Sequence, residues 1–150
     1  AHRPALLLLD EPSSGLDPIV RRDILAAIIR TVAEEGRSVI FSSHLLDEVQ
    51  RVADSVAILH RGQMQLQGDL ANILQRHQRL TLQFTESLSQ PPDLPGGMDW
   101  HGEGHSWSCI CNGQQAELEQ AAAEHDALVS ERQSVGLEDI FLAHTSSNQQ

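Results

Sequence analysis

The chain has 150 residues, with 21 acidic against 10 basic side chains, a formal charge of −11, 40% apolar residues and two cysteines. That length allows one moderate core or two small ones, and the acidic balance argues against nucleic acid or anionic lipid as a direct partner. No run approaches the roughly 18 apolar residues of a membrane span and no charged-then-apolar leader opens the sequence, so the chain reads as soluble, meeting a membrane only through a partner.

Leu6-Leu7-Leu8-Leu9 ends in Asp10-Glu11-Pro12. Such a run predicts a strand buried on both faces of a helix-covered parallel sheet. Ligands in that architecture bind outside the carboxyl ends of the strands. Two adjacent carboxylates there suit phosphate chemistry: Asp10 to hold Mg²⁺, directly or through water, and Glu11 to polarise an attacking water. Taken alone, the run reads equally well as a hydrophobic strand with a solvated end.

Asp17 then offers an N-cap and Pro18 a first helical residue. Val20, Ile24, Ile28 and Val32 recur at i+4, widened by Leu25 and Ile29, and Gly36 stops the helix. Ser38-Val39-Ile40-Phe41 returns as a strand. A crossover of this length makes the two strands parallel and brings their carboxyl ends, with Glu11 and His44, to one edge. A short helix is expected over 45–53, with Asp47 and Glu48 as first-turn acids favoured by the macrodipole. A strand over 56–59, a turn at His60-Arg61-Gly62 and an alternating strand over 64–67 follow. Asp69 caps a helix with Leu70, Ile73 and Leu74 on one side.

Beyond Arg79 the texture changes. Residues 1–79 hold ten acids and nine arginines (−1), whereas residues 80–150 hold eleven acids and Arg132 alone (−10). This shift predicts a domain boundary at 79/80. Residues 80–85 alternate with period two, and 87–98, with Pro91-Pro92, Pro95 and Gly96-Gly97, reads as a linker. Trp107, Cys109 and Cys111 share one face of a strand. Residues 114–125 read as a helix with Leu118, Ala121, Ala122 and His125 aligned, 127–129 as a strand, and Leu137, Ile140, Phe141 and His144 as a terminal amphipathic helix. From Ser146 onward the tail is expected to fray. His101, His105, Cys109 and Cys111 also offer N and S ligands at a spacing that suits Zn²⁺ or copper. The competing reading makes the cysteines small core residues and leaves both histidines in a glycine-rich loop. Neither reading calls for a disulfide.

Three elements in order give the sequence a family resemblance. Residues 6–12 resemble the Walker B strand of ATP-binding cassette (ABC) ATPases, Ser14-Gly15-Leu16-Asp17 the D-loop, and Ser42-Ser43-His44 the switch-histidine loop. The continuation through Asp47-Glu48, Ala53-Asp54 and Arg61-Gly62 resembles transporter cassettes, and residues 135–142 are similar to the tail of exporter ATPases. The resemblance implies an α/β fold: a partial P-loop NTPase core with parallel strands over 1–79, followed by a small α+β, acidic accessory domain over 80–150. It implies ATP and Mg²⁺ as cofactors, with Asp10 on the metal, Glu11 and His44 catalytic, and Ser14 and Asp17 at the interface with a second cassette. A transmembrane permease is the implied partner, placing the chain in the cytoplasm at the inner face of the membrane, with export the implied direction. Cassette ATPases of DNA repair and translation fit the EPSSGLDP and SSHLLDEV spellings less well.

The sequence contains no lysine. A P-loop, GxxxxGK[ST], needs its lysine on the β/γ-phosphates. No segment supplies one, nor a glutamine loop or LSGGQ-like signature, so His2-Arg3-Pro4 is expected to sit just after the signature helix. An incomplete cassette, inactive alone, is therefore expected. The alternatives are a regulatory partner of a complete cassette and a small metal-binding protein.

Overall fold

The computed structural model describes residues 5–34 and 36–146. The expectations for His2-Arg3-Pro4, for the side chains of Pro18 and Val32 and for the tail from Ser147 lie outside the described residues. Two compact units form, one up to Ala53 and the other from Asp54.

The first unit runs β1 (Leu6–Leu9), α1 (Pro18–Glu34), β2 (Ser38–Phe41) and α2 (Leu46–Val52). β1 and β2 pair in parallel, Leu6 opposite Ser38 through Leu9 opposite Phe41, as the crossover length requires. Asp17 accepts the Ile19 N–H at 3.0 Å and so opens α1. Gly36, at φ 65°, follows the helix and donates its N–H to Ala33 O at 3.0 Å. Two expectations need correction. Leu6 and Leu8 are exposed, so β1 is not buried on both faces; in this unit it has one strand neighbour, and one face of the pair stays open. Along α1 the buried position is Leu25, whereas Val20 and Ile24 face outward. The inward line therefore runs about one residue round the helix from the i+4 series.

The second unit opens with a hairpin, β3 (Ser55–His60) and β4 (Gln63–Asp69), joined by Arg61-Gly62. Both turn residues have positive φ, 50° and 76°. That is the geometry whose twist matches the flanking strands. Asp69 accepts the Asn72 N–H at 2.9 Å and caps α3 (Leu70–Arg76), which buries Leu70 and Ile73. An antiparallel sheet follows in the order β6–β5–β7, built from β5 (Gln78–Leu88), β6 (Gly97–Cys111) and β7 (Ala127–Ser134). α4 (Gln115–Glu124) packs on β6 and β7, and α5 (Leu137–Ser146) on β6 and β4. The period-two pattern holds: Leu80, Leu82, Phe84, Trp107, Cys109 and Cys111 join Leu118 and Ala122 in one core. His125 departs from the expected helix stripe and is exposed. Packing divides the chain at 53/54, ahead of the charge shift at 79/80. Leu70 and Ile73 are buried in the second unit and β4 touches α5, so the hairpin and α3 group with the later strands.

A histidine pair ties α3 to α5. His77, buried at the end of α3, has Nδ1 2.7 Å from Ile73 O and Nε2 3.3 Å from His144 Nε2. A carbonyl only accepts, so His77 carries its proton on Nδ1 and accepts from His144. Burial, the largest cause, pushes both histidines below the ordinary value of 6.5; at His77 the bond to Ile73 O opposes this and nearby Arg76 reinforces it, and at His144 the neighbouring His77 reinforces it. A depressed histidine pKa stabilises the fold above the unfolded value, and that contribution is lost as pH falls below 6.5 towards the folded value. The urea midpoint of this unit is expected to drop from about pH 7 to about pH 5.5, and His77→Gln is expected to flatten that slope. An equal slope in His77→Gln would assign the pH dependence elsewhere.

Candidate functional site at the ends of the parallel strands

β1 and β2 deliver their following residues to one edge, as parallel strands must. Ser42 N–H donates to Leu9 O at 2.9 Å, extending the ladder one residue past Phe41. Asp10 therefore comes opposite Ser42. The Ser42 hydroxyl donates to Asp10 Oδ1 at 2.6 Å and accepts the Glu11 N–H at 2.8 Å. Glu11 sits at φ 44°, in the left-handed region that a side chain disfavours. Its carbonyl accepts the Ser14 N–H at 3.0 Å, closing the turn into the next loop.

His44 reaches the same spot from β2. Its Nδ1 lies 2.9 Å from Glu11 Oε2. A carboxylate only accepts, so Nδ1 carries the proton and Nε2 faces away from Glu11. The imidazole is largely exposed and Glu11 is half-buried. One side of the pair is thus open to a ligand.

A second set of bonds holds the loop behind these residues. Ser13 is buried and donates to Glu48 Oε2 at 3.1 Å. Arg21 Nη2 donates to Leu16 O at 2.8 Å, and Arg21 Nε lies 3.7 Å from Glu48 Oε1. α1 and α2 together therefore grip residues 13–16. Ser14 and Asp17 stand exposed at the outer rim of this loop. Ser43 accepts the Leu45 N–H at 3.1 Å in the turn that precedes α2.

Sequence reasoning named Asp10, Glu11, His44, Ser14 and Asp17, and the fold puts the first three on one edge. It overlooked Ser42 as a bridge, although parallel register alone places Ser42 beside Asp10. Glu48 does stand in the first turn of α2, as expected, and it also accepts from Ser13, which the sequence reading did not foresee.

The residues fit a hydrated Mg²⁺ carried by a nucleotide. Ser42 occupies one oxygen of Asp10, and the carboxylate is exposed. Among the described residues no three His, Cys, Asp or Glu side chains group as a metal cage. Remaining ligands would have to be phosphate oxygens and water, which is how Mg²⁺ is usually held. The alternative metal site does not assemble. Cys109 and Cys111 are core residues; burial above all, with Cys111 nearby, pushes the Cys109 thiol up to about 12, and burial also raises Cys111. His101 pairs with Asp99 at 3.1 Å, and His105 Nδ1 donates to Phe84 O at 3.0 Å. Both histidines lie in β6 and not in a loop.

An acid pair thus ends one parallel strand, and a histidine from its neighbour meets the second acid. The chain is a relative of the ATP-binding proteins of ABC transporters, matching their C-terminal part. An uncharacterised ABC transporter ATP-binding protein of Synechocystis is 34% identical over 110 residues, 66% of this chain and 29% of that protein. The bacitracin transport ATP-binding protein of Enterococcus faecalis is 34% identical over 80 residues, 53% of this chain and 28% of the relative. An energy-coupling factor transporter ATP-binding protein of Clostridium perfringens is 39% identical over 80 residues, 53% of this chain and 26% of the relative. The chain thus spans less than a third of each of these relatives. No protein-family model matches it. Among the described residues no helix is long and apolar enough to cross a membrane.

Proposed function

We propose that these residues are the water-activating half of a transporter ATPase site, completed by a phosphate-binding loop outside residues 1–150. The observation that carries the reading is the 2.9 Å contact between His44 Nδ1 and Glu11 Oε2 at the edge where Asp10 also emerges. When bound, Mg²⁺ would neutralise charge on the β- and γ-phosphates. Asp10 would hold that cation, through water or directly. Glu11, with one oxygen engaged by His44, keeps the other to accept a proton from an attacking water. His44, whose Nδ1–H holds the glutamate in place, would present its Nε2 edge to a phosphate oxygen.

The D-loop extends the proposal to a second cassette, with Ser14 and Asp17 facing it. The open face of the β1–β2 pair, with Leu6, Leu8 and Ile40 exposed, supports further strands and helices of a P-loop core packing there. A transmembrane permease is the partner the similarity favours, which would hold the assembly at the cytoplasmic face of the membrane. The acidic unit and its residues 135–142 favour an exporter. A regulatory role beside a complete cassette is the second reading, supported by the absence of lysine from residues 1–150.

Hydrolysis measured twice tests the division of labour. Residues 1–150 alone should not hydrolyse ATP. The same residues joined to, or paired with, a phosphate-binding loop and signature segment should do so in a Mg²⁺-dependent way. Hydrolysis by residues 1–150 alone would show the site to be self-sufficient, and none in either preparation would defeat the ATPase reading.

A further inference from the structure

We propose that Ser42 is the positioning residue of this site: one hydroxyl that sets the metal-side carboxylate and the catalytic glutamate together. The inference rests on the ATPase reading above and goes beyond it by giving Ser42 a role. Its hydroxyl donates to Asp10 Oδ1 at 2.6 Å and accepts the Glu11 N–H at 2.8 Å. The first is a charge-assisted bond at the short end of the O–H···O⁻ range. It fixes the rotation of the Asp10 carboxylate and leaves the second oxygen for a cation. The second bond satisfies the amide of a residue held at φ 44°, a conformation that a non-glycine residue keeps only where its surroundings impose it.

The neighbouring serine shows that the arrangement is not generic to the loop. Ser43 turns to the Leu45 N–H, in the turn ahead of α2. Ser42 instead follows the last residue of β2, and its own N–H is tied to Leu9 O at 2.9 Å. Its Oγ is therefore carried by the sheet and not by a free loop, which is the support that a precise outer-sphere contact needs. Loss of such a contact to a metal-side carboxylate typically weakens the metal about 10–100-fold.

The test uses the assembled cassette and the variants Ser42→Ala, Ser42→Thr and Glu11→Gln. Two readouts are taken: the Mg²⁺ concentration giving half-maximal hydrolysis, and Mn²⁺ binding to the ATP-loaded Glu11→Gln protein by electron paramagnetic resonance. Ser42→Ala should raise the Mg²⁺ requirement about tenfold or more and weaken Mn²⁺ correspondingly, with the KM for ATP at saturating Mg²⁺ little changed. Ser42→Thr keeps the hydroxyl and should restore both. If Ser42→Ala lowers turnover with the Mg²⁺ and Mn²⁺ curves unmoved, or if Ser42→Thr behaves like Ser42→Ala, the positioning role is overturned. Undiminished hydrolysis in Glu11→Gln would instead bring down the ATPase reading, and the role of Ser42 with it.

Discussion

Glu11→Gln in the assembled cassette is expected to lower the turnover number by about 100- to 10,000-fold, the span usually lost with a general base. The substitution is close to isosteric, so the geometry of the edge should survive. The amide oxygen can still accept from His44 Nδ1, the contact that now measures 2.9 Å, and the backbone N–H can still reach Ser42. What disappears is an oxygen able to take a proton. Nucleotide binding should therefore persist while hydrolysis stops, a fall in kcat without a matching rise in KM. His44→Ala supplies the contrast. It leaves the base but frees its carboxylate to rotate and removes a potential phosphate donor, so both kcat and the γ-phosphate contribution to binding should decline. Steady-state hydrolysis with nucleotide binding measured separately distinguishes the two. Glu11→Gln turning over like the parent protein would remove Glu11 from the chemistry and leave it as a turn residue.

How much of this could be read from the sequence depends on the range of the interaction. The four-leucine run, the crossover and the SSH loop are local patterns, and they correctly placed Asp10, Glu11 and His44 at one edge. Asp17 and Asp69 were legible as caps because capping is decided within three residues. The alternation through Leu80, Leu82 and Phe84 was legible for the same reason. Non-local facts were not. Ser13 meets Glu48 from 35 residues away, and helix periodicity cannot reveal which acid in a first turn finds a buried hydroxyl. The exposure of Leu6 and Leu8 depends on what covers β1, which the residues of β1 do not encode. Charge and packing mark different places: acids accumulate after Arg79, whereas the packed units divide at 53/54, and Ile73 is wholly buried in the second.

That second unit makes a sharp stability prediction. Leu82 is fully buried on the central strand β5, opposite Trp107 on β6 and Val129 on β7. Leu82→Ala removes three carbons from the middle of the core, between two neighbouring strands that the sheet holds in register. The gap can close only partly, so the cost should be about 2–5 kcal/mol, combining lost transfer energy with the residual cavity. For a domain of this size that is a large share of the total. With a urea slope of about 1–3 kcal/mol per molar, the midpoint should fall by about 1–3 M at unchanged slope. The chain's two tryptophans, Trp100 and Trp107, both lie in β6, so their fluorescence reports this unit and not the edge that carries Asp10, Glu11 and His44. Leu128, one residue before Val129 but 75% exposed, is the matched control, since Leu128→Ala should change stability by no more than about 0.5 kcal/mol. If the two leucines gave equal shifts, Leu82 would not be packed as the β6–β5–β7 register requires.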